Sequence, residues 1–103
     1  MPATVTDNPG RQQFEIVLDG VRVGLAAYRR SHANGIIAFI HTEVDPGHEG
    51  EGLGGQLVSF ALDSAREQGL AVLPFCPFVR RYIESHPEYA DLVPADQRKE
   101  FGL

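Results

Sequence analysis

The sequence is poor in cysteine, in basic charge and in long apolar runs, and each shortage removes a class of protein. Cys76 is the one cysteine among 103 residues, so an internal disulfide framework and a zinc site built on several thiolates are both excluded. The formal net charge of −5 leaves no basic face for nucleic acid or for an anionic membrane surface, and neither is expected as a partner. No stretch reaches the ~18 consecutive apolar residues that span a bilayer. Met1–Arg11 lacks the apolar segment of a secretory signal. The cytoplasm is therefore the expected compartment. What is present is an ordinary globular composition, 43% apolar with 11 glycines and 7 prolines, enough for one domain with a core of its own.

Taken in order, residues 1–11 carry no periodic apolar signal and are expected to be a flexible lead-in, leaving 12–103 as a single domain. Phe14, Ile16 and Leu18 then alternate with polar neighbours. Asp19-Gly20 supplies a two-residue hairpin turn, and Val21, Val23, Leu25 and Ala27 alternate again as far as Tyr28 or Arg29. A further strand, Ile36–Val44, opens as a nearly continuous apolar run, the pattern of a strand covered on both faces. In its second half Ile40, Thr42 and Val44 point one way while His41 and Glu43 point the other.

After a glycine-rich turn, residues from Leu53 to about Gln68 fit an amphipathic helix. Leu53, Leu57 and Ala61 form one apolar row and Val58, Leu62 and Ala65 the next, with Gly69 as the stop. Leu70–Phe75 reads as a short strand that a right-handed crossover makes parallel to Ile36–Val44, weakened at Pro74, which has no N–H to donate. Pro77 opens a shorter helix that ends near His86-Pro87. The remainder is polar, anchored by Tyr89, Leu92 and Val93.

The turn between strand and helix, Gly47-His48-Glu49-Gly50-Glu51-Gly52-Leu53-Gly54-Gly55, is the most informative segment. Glycines that lead a strand into a helix aim unpaired backbone amides at one point, where the helix dipole also favours negative charge. A phosphate group is the expected ligand. The spacing fits neither the dinucleotide fingerprint nor the P-loop, which ends in a lysine absent here. No Ser, Thr, Asp or Asn stands before Leu53 to cap the helix. Glu49 and Glu51 would oppose a bound pyrophosphate by roughly 1 kcal/mol each if they faced it, or would simply favour the positive helix end if they did not.

This segment resembles the acyl-CoA loop of the GCN5-related N-acetyltransferases, Gln/Arg-x-x-Gly-x-Gly/Ala after a strand and before a helix, with Glu49, Gly52 and Gly54 in the three defining places. The resemblance runs from about Phe14 to Val93, taking in Leu73–Val79 and His86–Tyr89, and points to the small stand-alone branch of the superfamily. Glu49 departs from its pattern, which has Gln or Arg there. The resemblance implies a minimal α+β fold of this family: a mixed sheet with antiparallel N-terminal strands, one β-α-β crossover and a short C-terminal helix. It also implies acetyl-CoA as co-substrate, with no metal, and an amine as acceptor. Gly50, Gly52, Leu53, Gly54 and Gly55, with Glu49 and Glu51 beside them, would take the pyrophosphate, and Val44 would offer backbone to the pantetheine arm in the splay between the two parallel strands.

Acetyl transfer needs a polarised thioester carbonyl, a base for the attacking amine and a proton for the departing thiolate. His41 and Glu43 stand where related enzymes place such a base; unemployed, they would be a histidine hydrogen-bonded under the sheet and a solvated glutamate. Cys76 lies at the C-terminal end of the second parallel strand, where open α/β sheets bind ligands. It is an acyl acceptor or a proton donor to the leaving thiolate, or else a small core residue. Tyr82, on the following helix, resembles the tyrosine that protonates that thiolate, and is otherwise core packing. Arg80 and Arg81 would meet the 3′-phosphate or pyrophosphate, or remain solvated. The resemblance implies an N-terminal helical segment that builds part of the acceptor site, but only Arg30–Gly35 separates the second strand from the third in this reading, so the acceptor wall is expected to be missing or supplied by a protein partner. Two other functions fit the same residues: a non-catalytic CoA-binding or interaction module, and a thiol redox sensor centred on Cys76.

Overall fold

The computed structural model describes residues 3–48 and 50–103. Five strands, β1 (Thr4–Asn8), β2 (Gln13–Leu18), β3 (Val21–Ser31), β4 (Ile36–Val44) and β5 (Ala71–Pro74), form one sheet in sequence order. The first four are antiparallel neighbours and β5 runs parallel to β4. Helix α1 (Leu53–Glu67) makes the crossover between β4 and β5. Helix α2 (Pro77–Ser85) follows β5, and two 3-10 turns, Pro87–Leu92 and Arg98–Phe101, close the chain. This is the minimal mixed α+β fold that the motif pattern implied. Among the described residues no helix is long and apolar enough to cross a membrane.

Local chemistry explains most boundaries. Asp19 and Gly20 both take positive φ, 53° and 79°, the paired left-handed turn whose twist suits a two-residue hairpin. Gly69 ends α1 at φ 69°, and the Leu70 amide reaches back to the Ala65 carbonyl as a helix C-terminal motif requires. Both apolar rows of α1 are buried. They pack with Phe14, Ile16, Ala26, Tyr28, Ile37, Phe39 and Val72 in one core that Val79, Ile83, Leu92 and Val93 complete.

Two expectations need correction. The first eleven residues are not without structure, because Thr4–Asn8 pairs with β2 from Thr4↔Val17 to Asn8↔Gln13. Alternation is too short there to show in the sequence; the strand is held from outside itself. Tyr28 donates to Asp7 Oδ1 at 2.6 Å, and Arg30 pairs with Asp7 Oδ2 at 3.3 Å. Nor is β4 covered on both faces: Ile37 and Phe39 are fully buried, while Ile36 and Ala38 are half-buried and Ile40 is 40% exposed. An apolar run alone does not distinguish one covering layer from two.

A bulge divides β4. Ala27 pairs with His41 and Tyr28 with Phe39, so Ile40 is one residue too many and the facing pattern slips by one. Ile37 and Phe39 face the helices before the bulge, and Thr42 takes that side after it.

The Tyr28–Asp7 bond generates a pH prediction. Burial, helped by that bond, pushes the Tyr28 phenol up to about 12, above its ordinary value near 10. The unfolded chain thus gives up this proton first. The stability it contributes is whole below about pH 10 and is lost between about 10 and about 12. Tyr28→Phe is expected to unfold with about 1 kcal/mol less free energy at neutral pH, and its urea midpoint should fall less steeply across the alkaline window.

Candidate functional site

The site begins where the parallel pairing stops. β4 and β5 are in register from Ile36↔Ala71 to Phe39↔Pro74 and no further. The Phe75 amide turns back to the Leu73 carbonyl at 3.1 Å, and the Phe39 carbonyl is taken by the Cys76 amide at 2.9 Å. The bond skips Phe75, whose side chain swings out to 54% exposure. Pro77 then starts α2. Residues 40–44 of β4 are left without a partner on that edge, and a cleft opens beside them.

The cleft is a cavity of about 420 Å³ lined by Thr42 and Val44 of β4, by His48, Gly50 and Gly52 of the turn, by Leu53, Gly54 and Gly55 of α1, and by Phe78 of α2. Gly50 and Gly52 have φ of 83° and 75°, a region that costs other residues strain. Gly52 is the N-cap of α1 and no side chain caps the helix there. Among the described residues, nothing accepts a bond from the amides of Leu53, Gly54 and Gly55. Three donors at the positive end of a helix thus have no acceptor among the described residues, as an anion site requires. Gly54 has a packing reason as well: a Cβ there would lie 2.7 Å from Phe78 Cζ.

Glu51 does not fold back over those donors. Its Oε1 lies 3.0 Å from His48 Nδ1, which leaves the cradle to the backbone. Glu49 lies outside the described residues.

Of the proposed chemical groups, Cys76 is the one joined to the cleft. It is 3% exposed, and its thiol donates to Thr42 Oγ1 at 3.4 Å, the hydroxyl of a lining residue. His41 and Glu43 are together, Nε2 to Oε1 at 3.4 Å, and both are open to solvent; neither lines the cleft. By strand alternation they occupy the opposite face of β4 from Thr42 and Val44.

Tyr82 does not line the cleft. Its ring stacks on His86 at 3.9 Å and 14°, and a Cβ built on Gly55 would approach it to 3.7 Å. The two arginines part company: Arg80 turns to the Phe75 carbonyl at 3.4 Å, whereas Arg81 lines a second recess with Phe78 and Tyr82. Among the described residues no group of three or more His, Cys, Asp or Glu could hold a metal ion.

Sequence reasoning passed over Thr42, His48 and Phe78 as site residues. Thr42 was within reach, since it shares a strand face with Val44. Phe78 was not, because nothing local says that the ring after Pro77 lies across Gly54.

A mixed sheet whose parallel strands part at a cleft, with a glycine cradle at its mouth, defines an α+β domain built around an anion-binding cleft. A family model for GCN5-related N-acetyl-transferase matches residues 13–92, and the chain belongs to that family. No curated protein matches the chain. Among solved structures it is similar to a GCN5-like protein from Staphylococcus aureus, at 24% identity and TM-score 0.67 over 87% of this chain and 86% of that one. It is also similar to the ribosomal-protein-S18-alanine N-acetyltransferase from Escherichia coli, at 19% and 0.61 over 72% of this chain and 50% of that one. The N-acetylglutamate synthase from Neisseria gonorrhoeae, solved with coenzyme A and N-acetyl-glutamate, matches at 21% and 0.55 over 87% of this chain but 22% of its own length.

Gly52 makes the cradle testable through stability alone. Its Cβ position is empty within 4 Å, so any cost of a side chain there is backbone strain. Gly52→Ala is expected to lose about 1–2 kcal/mol in urea unfolding, and Gly52→Asn less, because asparagine tolerates the left-handed region.

Proposed function

We propose that the chain is an acetyl-CoA-dependent N-acetyltransferase acting on an amine. One observation carries this reading: free amides at the start of α1 and the Cys76–Thr42 pair lie along one cleft, between strands that have stopped pairing. A diphosphate suits the cradle because nothing lies within 4 Å of the Cβ positions of Gly50 and Gly52, so its oxygens can approach backbone there, and because Glu51 is engaged by His48. Bound there, acetyl-CoA supplies an acetyl group on a thioester. Val44 and Thr42 would line the path of the pantetheine arm.

The residues divide the proton work. His41, oriented by Glu43, takes the proton from the amine nitrogen on the open face of the sheet as that nitrogen bonds to the carbonyl carbon. Cys76 returns a proton to the departing sulfur as the carbon–sulfur bond breaks; an acyl-cysteine route would use the same thiol as nucleophile instead. Tyr82 is the alternative donor. The exposure of His41 and Glu43, at 60% and 59% of their side chains, fits an acceptor wall that is open or supplied by a protein partner. A CoA-binding module without catalysis would use the same cleft. A redox sensor would need an accessible thiolate, and the burial of Cys76 weighs against that function.

Titration with acetyl-CoA should shift the amides of Gly50, Gly52, Leu53, Gly54 and Gly55; no movement at millimolar ligand would sink the reading. Thiol release over a panel of amines then separates enzyme from binder. His41→Ala is expected to lower kcat by roughly 10²-fold or more with the amide shifts intact, and full activity in Cys76→Ala would remove both roles given to that thiol.

A further inference from the structure

The cleft lies toward the β5 end of the sheet. At the other end β1 closes the strand order, and its outer edge pairs with nothing among the described residues. The register shows how this strand is turned. Val5 stands opposite Ile16 and Asp7 opposite Phe14, both core residues, so Thr4, Thr6 and Asn8 lie on the open face. Proteins blunt such an edge with lysine, with proline inside the strand or with a bulge, and Thr4–Asn8 has none of these. Its one charged residue is neutralised within the chain: Asp7 pairs with Arg30 at 3.3 Å and accepts from Tyr28 at 2.6 Å.

The helix layer above this edge is also unfinished. Asp63 and Arg66 of α1 are engaged by the first 3-10 turn, through Tyr89 at 2.9 Å and Asp91 at 2.8 Å. Phe60 is turned by about 120° from Arg66 around the helix, toward the flank where α1 packs on β1 and β2. One edge of the pair meets Phe14 at 6.1 Å, and Phe60 remains 44% exposed. Val5 is half-buried on the same side of the sheet.

We infer that β1 is the seam of a two-fold dimer, in which a second copy of this chain lays its own β1 antiparallel to the first and joins two five-stranded sheets into one. The segment is self-complementary in that arrangement. With the axis at Thr6, all five residues are matched: Thr6 faces the second copy's Thr6, Thr4 faces Asn8 and Val5 faces Asp7, and no like charges are opposed. The same axis brings Phe60 and Val5 of both copies to one side of the joined sheet, where they form an apolar strip over the seam. A five-residue seam with two rings belongs among small interfaces, so association is weak. Three strands separate the seam from the β4 wall of the cleft, and the inference is independent of what that cleft binds.

Sedimentation of the full chain between ~10 μM and ~1 mM should show the average mass rising from one chain toward two. Thr6→Lys stands opposite Glu15 in its own chain but opposite another lysine across the seam. It should fold as wild type does and associate about fivefold or more weakly. Phe60→Gln should weaken association about tenfold or more, whereas Phe75→Gln, which removes an exposed ring at the β5 end, should leave it unchanged. Independently of those variants, Thr6→Cys should form a disulfide between copies under mild oxidation, because the two-fold axis sets that residue beside itself. Ser85→Cys, exposed on α2, should not, and the buried Cys76 takes no part. The assignment is overturned if wild type stays a single chain throughout, if Thr6→Lys or Phe60→Gln associates as wild type does, if Phe75→Gln weakens the dimer as much as Phe60→Gln, or if Thr6→Cys cross-links no faster than Ser85→Cys.

Discussion

The parallel pairing of β4 and β5 lasts four residue pairs, and the cleft exists because it stops there. The Phe39 carbonyl accepts from Cys76 and not from Phe75. That skipped residue turns the chain out of the sheet and starts α2 at Pro77 instead of extending the ladder. A sheet edge with no partner would ordinarily be a liability. Here residues 40–44 are sheltered on one face by the first turn of α1 and by Phe78, which makes the unpaired segment a wall of a cavity. Proline contributes at both ends of the turn: Pro74 has no amide with which to continue the ladder, and Pro77 has its φ already set for a helix start.

The cradle and the acidity of the chain conflict only at the level of net charge. Attraction at a helix N-terminus comes from fixed backbone dipoles and falls off within about a turn, whereas the −5 formal charge is spread over a solvated, screened surface. Glu51 is the described carboxylate nearest the cradle in the chain, and His48 draws it aside at 3.0 Å. The two glycines inside α1 have a local cost in helix propensity, roughly 1 kcal/mol each relative to alanine. Gly54 repays it by letting Phe78 close the cleft wall, with no room for a Cβ between them.

Elements with strong local codes were legible in the sequence. The Asp19-Gly20 hairpin, the β4 boundaries, the apolar rows of α1 and the proline that opens α2 all follow from turn chemistry or from periods of two and 3.6, and the structure has each of them. Elements whose cause is distant were not. β1 is held by Tyr28 and Arg30, more than twenty residues away from Asp7, and its own five residues carry too little pattern. The cradle glycines could be found because backbone geometry demands them. Phe78 could not, since its role depends on which turn of α1 it meets, and the divergence of Arg80 from Arg81 depends on the phase of a helix whose docking face is set by Val79 and Ile83.

The bulge at Ile40 determines which residues of β4 line the cleft. Without it, strict alternation from Ile37 and Phe39 would carry His41 and Glu43 onto the helix-covered face and turn Thr42 and Val44 outward. One extra residue reverses this, as the pairs Ala26↔Thr42 and Tyr28↔Phe39 record. Apolar or hydroxyl side chains then line the narrow cleft, where burying an imidazole and a carboxylate without partners would cost several kcal/mol. The titratable pair stands on the exposed face, where it remains solvated. A single strand thus presents a cleft wall on one side and an exposed His41–Glu43 pair on the other.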